Sequence, residues 1–203
     1  MTPIIIGLFC VAVGVVGSPL PRAHSRHYSQ PFEFVSRDDW GGRVATSVTK
    51  LKTPVPLVVI HHSYIPGACY TKAACSTAMR SMQNAHQITN GWADIGYNFA
   101  VGSDGRVYEG RGFNRLGAHA VGVNVKSIGI VLIGNWVSEV PPRKQLEAAQ
   151  ALIKHGVDLG YISPDYSLMG HRQVGSTECP GGALQREISN WPRFQPNLEF
   201  HLT

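Results

Sequence analysis

The chain has 203 residues, with 18 Lys and Arg against 13 Asp and Glu, nine His, four Cys and 43% apolar composition. That length can bury a proper core, and the apolar share excludes a disordered chain. A formal charge of +5 at pH 7 does not by itself ask for nucleic acid, and it accommodates an anionic partner such as a cell wall or membrane surface.

Ile4 to Gly17 is an uncharged run of fourteen residues, whereas a membrane span needs about 20. Placed at the N-terminus before the Pro-containing stretch SPLPR, it reads as a signal peptide over residues 1–17, followed by a polar leader over 18–31. The mature protein is expected to be secreted and extracellular, with no membrane span. Cleavage would remove Cys10 and leave Cys69, Cys75 and Cys179. An odd count in a secreted protein means that one thiol is free, intermolecular or otherwise engaged. Cys69 and Cys75, six apart, can close a short loop in an oxidising compartment, which leaves Cys179 to be explained.

Residues 32–203 read as a single α/β domain. Leu57 to Ser63 (LVVIHHS) is a β-branched run and predicts a buried strand. Thr71 to Asn90 has Met79, Met82, His86 and Thr89 at three- and four-residue steps and predicts a helix ending before Gly91. YNFAVGSDGRVYEG predicts a hairpin around GSDG, and Ser127 to Gly134 (SIGIVLIG) a central strand. Pro141 and Pro142 open a helix with Leu146, Ala149, Ile153 and Val157 on one face and Gly160 at its end. A short helix around Leu184, Ile188 and Trp191 closes the chain before Pro192. Strands interspersed with helices imply one central mixed sheet flanked by helices.

His61 and His62 end the first long strand, and because strand side chains alternate, only one of them can face a given site. His171 and Cys179 follow in GHRQVGSTECPGG. Two His and one Cys with an open fourth position would suit catalytic zinc. Spacing alone leaves three readings open. The residues could be core histidines and a buried cysteine, a metal site, or a Cys179 nucleophile activated by His171, which would make a cysteine hydrolase.

The run GWADIGYNFAVGSDGRVYEGRGFNRLGAHA, with VVIHHS, SIGIVLIGNW, LMGHRQVGSTECPGG and ISNWP, resembles the peptidoglycan recognition proteins, relatives of the bacteriophage-type N-acetylmuramoyl-L-alanine amidases. The match runs from about Phe34 to Phe194, and HHSYIPGACY, GIVLIGNW and GYISPDY are similar to the catalytic LB type. The resemblance implies the amidase type 2 fold, with zinc on His61, His171 and Cys179, a catalytic tyrosine at Tyr97 and an active-site threonine at Thr177. It implies a stem-peptide contact at His119, and it places the reading of the third stem residue at Arg111, Gly112 and Phe113, in a pattern resembling the meso-diaminopimelate class. The expected partner is bacterial peptidoglycan, bound by a monomer, and the expected reaction is hydrolysis of the lactyl to L-Ala amide in innate immunity. Relatives that bind without cutting commonly replace the cysteine, so a non-catalytic receptor is the competing reading.

Overall fold

The computed structural model describes residues 31–197. The expected signal peptide, and the leader up to Gln30, lie outside the described residues. The elements are β1 (Phe34–Val35), α1 (Arg37–Trp40), β2 (Val55–His62), α2 (Lys72–Asn84), β3 (Phe99–Val101), β4 (Val107–Glu109), β5 (Ser127–Leu132), α3 (Arg143–Asp158), β6 (Ile162–Gly170) and α4 (Gly182–Ile188). Six strands form one sheet in the order β1-β4-β3-β5-β2-β6, and only the β3–β4 hairpin is antiparallel. The expected central mixed sheet flanked by helices is what the chain forms.

β2 and β5 lie in the middle, in parallel register from Leu57–Ser127 to His62–Leu132. Both are buried along nearly their whole length, as near-continuous apolar strands covered on two faces must be. Val58, Ile60, Ile128 and Ile130 pack with Ala149, Leu152 and Ile153 of α3 and Leu184 and Ile188 of α4. On the other face, Val131 packs with Trp40 and with Met79 and Met82 of α2. Each large side chain so buried contributes roughly 1.5–3 kcal/mol. α3 ends where Gly160 adopts φ +74 and its N–H donates to the Val157 carbonyl, as the expected C-terminal cap requires.

Several elements depart from expectation: β1 and α1 precede the first expected strand, and α4 ends at Ile188, short of Trp191. The helix after Thr71 continues past α2 as one wide π turn over Ala85–Thr89, which rotates the face so that Thr89 is exposed. β6 was not expected at all. It contains Pro164, Asp165 and Ser167, and its pairing with β2 jumps from Val55–Ile162 to Leu57–Ser167, so a bulge absorbs the polar residues at the sheet edge. Cys69 and Cys75 form a disulfide between the loop that follows β2 and the first turn of α2, both side chains being buried.

Candidate metal centre and cleft

The parallel strands deliver the side chains of the centre. His61 is the seventh residue of β2, and His171 directly follows Gly170, which pairs with Ile60. Parallel register therefore brings two histidines 110 positions apart in sequence to ring centroids 4.4 Å from one another. Cys179 returns on the loop before α4. Its carbonyl accepts from Arg172 N–H at 2.7 Å, and its sulfur accepts from the His62 N–H at 3.4 Å. Gly181 allows this return: at φ +93, a Cβ there would sit 2.3 Å from the Trp136 carbonyl oxygen.

One ligand atom each from His61, His171 and Cys179 lies within 4.8 Å of the others, with Cys179 Sγ 3.7 Å from His61 Nδ1. His62, as alternation demands, turns to the α3 face, where its Nδ1 accepts from Trp136 N–H at 3.3 Å. A cleft of about 620 Å³ opens over the cluster, bordered by Tyr64, Tyr97, Arg172, Thr177 and Glu178 among others. It lies beyond the C-terminal ends of β2 and β5, where open α/β sheets place their ligands.

The electrostatics are those of a neutral donor set. Burial, reinforced by His119 and His171, holds the His61 imidazolium well below the usual histidine range. Burial also lowers His171, and it pushes the Cys179 thiol up to about 12. Both imidazoles thus keep a free lone pair at neutral pH, and the thiol lacks the imidazolium that a cysteine nucleophile needs for ionisation. Two neutral imidazoles and one thiol, converging within 4.8 Å, fit a divalent ion of borderline softness such as zinc. Burial likewise raises the Tyr97 phenol above its ordinary value, with Cys179 adding to the shift, so it stays protonated and can donate.

Tyr97 reaches the cleft with its ring centroid 5.3 Å from that of His61. It is supported by His86, which the π turn carries. The His86 ring stacks on Trp92 at 4.8 Å, stands edge-on to Tyr97 at 5.6 Å, and accepts from Gly96 N–H at 3.1 Å. Spacing gave no sign of this support, because His86 read only as one position on a helix face. Thr177 is exposed at the cleft, and its hydroxyl accepts from Cys179 N–H at 3.2 Å.

The residues expected to contact substrate have partners within the protein. His119 is buried with both ring nitrogens engaged inside the protein, 3.0 Å from His61 Nε2 and 3.3 Å from Ser127 Oγ, so it has no nitrogen left for a stem peptide. Arg111 donates to the carbonyls of Ile95, Leu116 and Asp94 and so braces the segment leading to Tyr97. Gly112, at φ +76, turns the chain, and its carbonyl accepts from Asn98. Phe113 then packs on the α3 side, parallel to Tyr161 at 5.0 Å and against Phe99. Gly112 and Phe113 are not among the residues bordering the cleft.

Residues 51–182 match the N-acetylmuramoyl-L-alanine amidase family. Peptidoglycan-recognition protein LB of Drosophila melanogaster is 56% identical over 160 residues, covering 79% of this chain and 69% of the relative. This chain belongs to that family. An N-acetylmuramoyl-L-alanine amidase of Sus scrofa is 45% identical over 79% of this chain and 27% of its own length. Among solved structures, a Tyr-to-Phe mutant of Drosophila PGRP-LB in complex with tracheal cytotoxin, a monomeric diaminopimelic acid-type peptidoglycan, superposes with a TM-score of 0.79. It is 55% identical, covering 80% of this chain and 96% of that one. Among the described residues no helix is long and apolar enough to cross a membrane.

Proposed function

We propose that the chain is a secreted zinc amidase that binds diaminopimelate-type bacterial peptidoglycan and hydrolyses the amide joining the lactyl group of N-acetylmuramic acid to L-Ala. The observation that carries this reading is the convergence of His61, His171 and Cys179 within 4.8 Å beneath an open cleft. Zinc held by these three side chains would supply a Lewis acid and a water acidified to a pKa of about 7.

The chain's own groups supply positioning and a proton donor. The protonated Tyr97 phenol stands beside His61 at the cleft edge and donates a hydrogen bond to charge developing on the amide oxygen, a contribution of roughly 10²–10³ in rate where such donors have been removed. The Thr177 hydroxyl accepts from the Cys179 N–H, which orders the ligand loop, and the residue borders the cleft. Glu178 forms an ion pair with Arg172 at 3.1 Å, which occupies the one carboxylate next to the cysteine. Tracheal cytotoxin bound to the LB relative supports the diaminopimelate preference. Removal of stem peptides by a secreted enzyme would destroy an elicitor of innate immunity.

Mass spectrometry of muropeptides incubated with the protein tests the reading. Release of intact stem peptides from the glycan is expected, lost with a chelator and restored by zinc. Binding without release would make the protein a receptor, and release insensitive to chelator but blocked by thiol alkylation would make it a cysteine hydrolase.

A further inference from the structure

A histidine can offer a metal only the nitrogen that carries no proton, so the tautomer of His61 decides whether it can serve as a ligand. Its Nδ1 faces the Cys179 sulfur at 3.7 Å, and its Nε2 lies 3.0 Å from Nδ1 of His119. Two neutral imidazole nitrogens at that distance share one proton, with one donating and one accepting. The next link settles the direction. Ser127 Oγ stands 2.7 Å from the Val123 carbonyl, which can only accept, so the single hydroxyl proton is used there. At its 3.3 Å contact with His119 Nε2 the serine oxygen must therefore accept. That places the His119 proton on Nε2 and leaves Nδ1 bare to accept from His61 Nε2–H. The His61 Nδ1 lone pair is then the one turned to Cys179.

The surroundings hold this order in place. His119 and Ser127 are buried, so no solvent competes for these bonds. The His119 ring lies over Gly129, where a Cβ would meet its Cγ at 2.3 Å, and against Gly117, where a Cβ would meet its Cδ2 at 2.6 Å. Its backbone N–H donates to Asn124 Oδ1 at 2.9 Å. The geometry points to Ser127 and His119 as positioning residues that lock His61 as the Nε2–H tautomer and so present Nδ1 to the metal. This inference rests on the zinc reading above. It makes Ser127, at the start of β5, a determinant of metal affinity although it touches neither metal nor cleft. Partners that orient a ligating histidine in this way typically carry 10- to 100-fold in metal affinity.

Long-range 1H–15N correlation on the imidazoles of the metal-free wild-type protein tests the lock directly. Protons on Nε2 of both His61 and His119 are expected, and a His61 proton on Nδ1 would overturn the inference. In Ser127→Ala the His119 Nε2–H loses its hydroxyl acceptor and is left with the backbone of residue 127 alone. A mixture of His61 tautomers should appear, and zinc affinity measured by chelator competition should fall roughly 10- to 100-fold. Undiminished affinity in a folded variant would also overturn the inference. If Ser127→Ala does not fold, the wild-type spectrum decides alone. Failure of the wild-type chain to bind zinc would defeat the zinc reading, whereas a His61 Nδ1–H tautomer in a chain that binds zinc would defeat only the lock.

Discussion

Among the described residues, two concavities of similar size differ in the donor groups they gather. The cleft over His61, His171 and Cys179 measures about 620 Å³, and a groove between α3 and the edge strand β6 measures about 530 Å³. The groove is lined by Ile153, Val157, Leu168 and Trp191 with Lys154 and Arg193 at its rim, and it gathers no set of metal donors. They sit differently on β6. The groove lies along the strand at Pro164, Tyr166 and Leu168, while the cleft lies past its C-terminal end, where parallel pairing with β2 delivers His171 beside His61. Chemistry therefore follows the strand termini and their register, and the size of a hollow says little about it.

Substitutions that break the contrast are ordered by expected effect. Cys179→Ser should lower amide cleavage by about 10³-fold or more, because a metal's several kcal/mol of transition-state stabilisation would be lost, while binding of muropeptides persists. Calorimetric titration beside a product assay checks both halves. Tyr97→Phe removes one donor and keeps the ring, so kcat should fall by roughly 10²–10³ with zinc content unchanged. An equal loss of zinc would show that the tyrosine acts on the metal site and not on the substrate.

Zinc affinity should rise about tenfold per pH unit between about pH 7 and 8, as expected for release of one proton per ion bound. The sign follows from the donor set. Burial lowers both His61 and His171 from the ordinary histidine value, so above that value they release no proton, while the thiol, raised to about 12, must give one up. A steeper dependence below pH 6.5 would mean that the imidazoles titrate in the ordinary range. At the other concavity, Gln150→Ala should leave cleavage within about twofold, as exposed substitutions remote from the chemistry usually do. A large loss there would end the distinction between the two hollows.

The strands and helices of the core were legible where apolar periodicity was continuous. β2, β5 and α3 each bury a pattern that the sequence displays openly. β6 was not legible, because Pro164, Asp165 and Ser167 interrupt its apolar pattern and the bulge that accommodates them depends on pairing with β2. The donor types at positions 61, 171 and 179 were readable as residues, but spacing could not show their convergence, which only the family resemblance implied, since it depends on the register of that same strand. The role of His119 was hidden for a related reason. Its partner, His61, lies 58 positions away, and only the fold shows that both ring nitrogens are used internally. The divergence of neighbours at 111–113 was equally invisible, because the turn at Gly112 sends the Phe113 ring to the α3 side while Arg111 donates to the Ile95 carbonyl.

X-ray absorption at the zinc edge on protein loaded with one equivalent of zinc tests the central claim most directly. The account predicts a shell of two nitrogens at about 2.0–2.1 Å and one sulfur at about 2.3 Å, completed by a light scatterer at the open position. A first shell without sulfur, or one with a single imidazole, would contradict it.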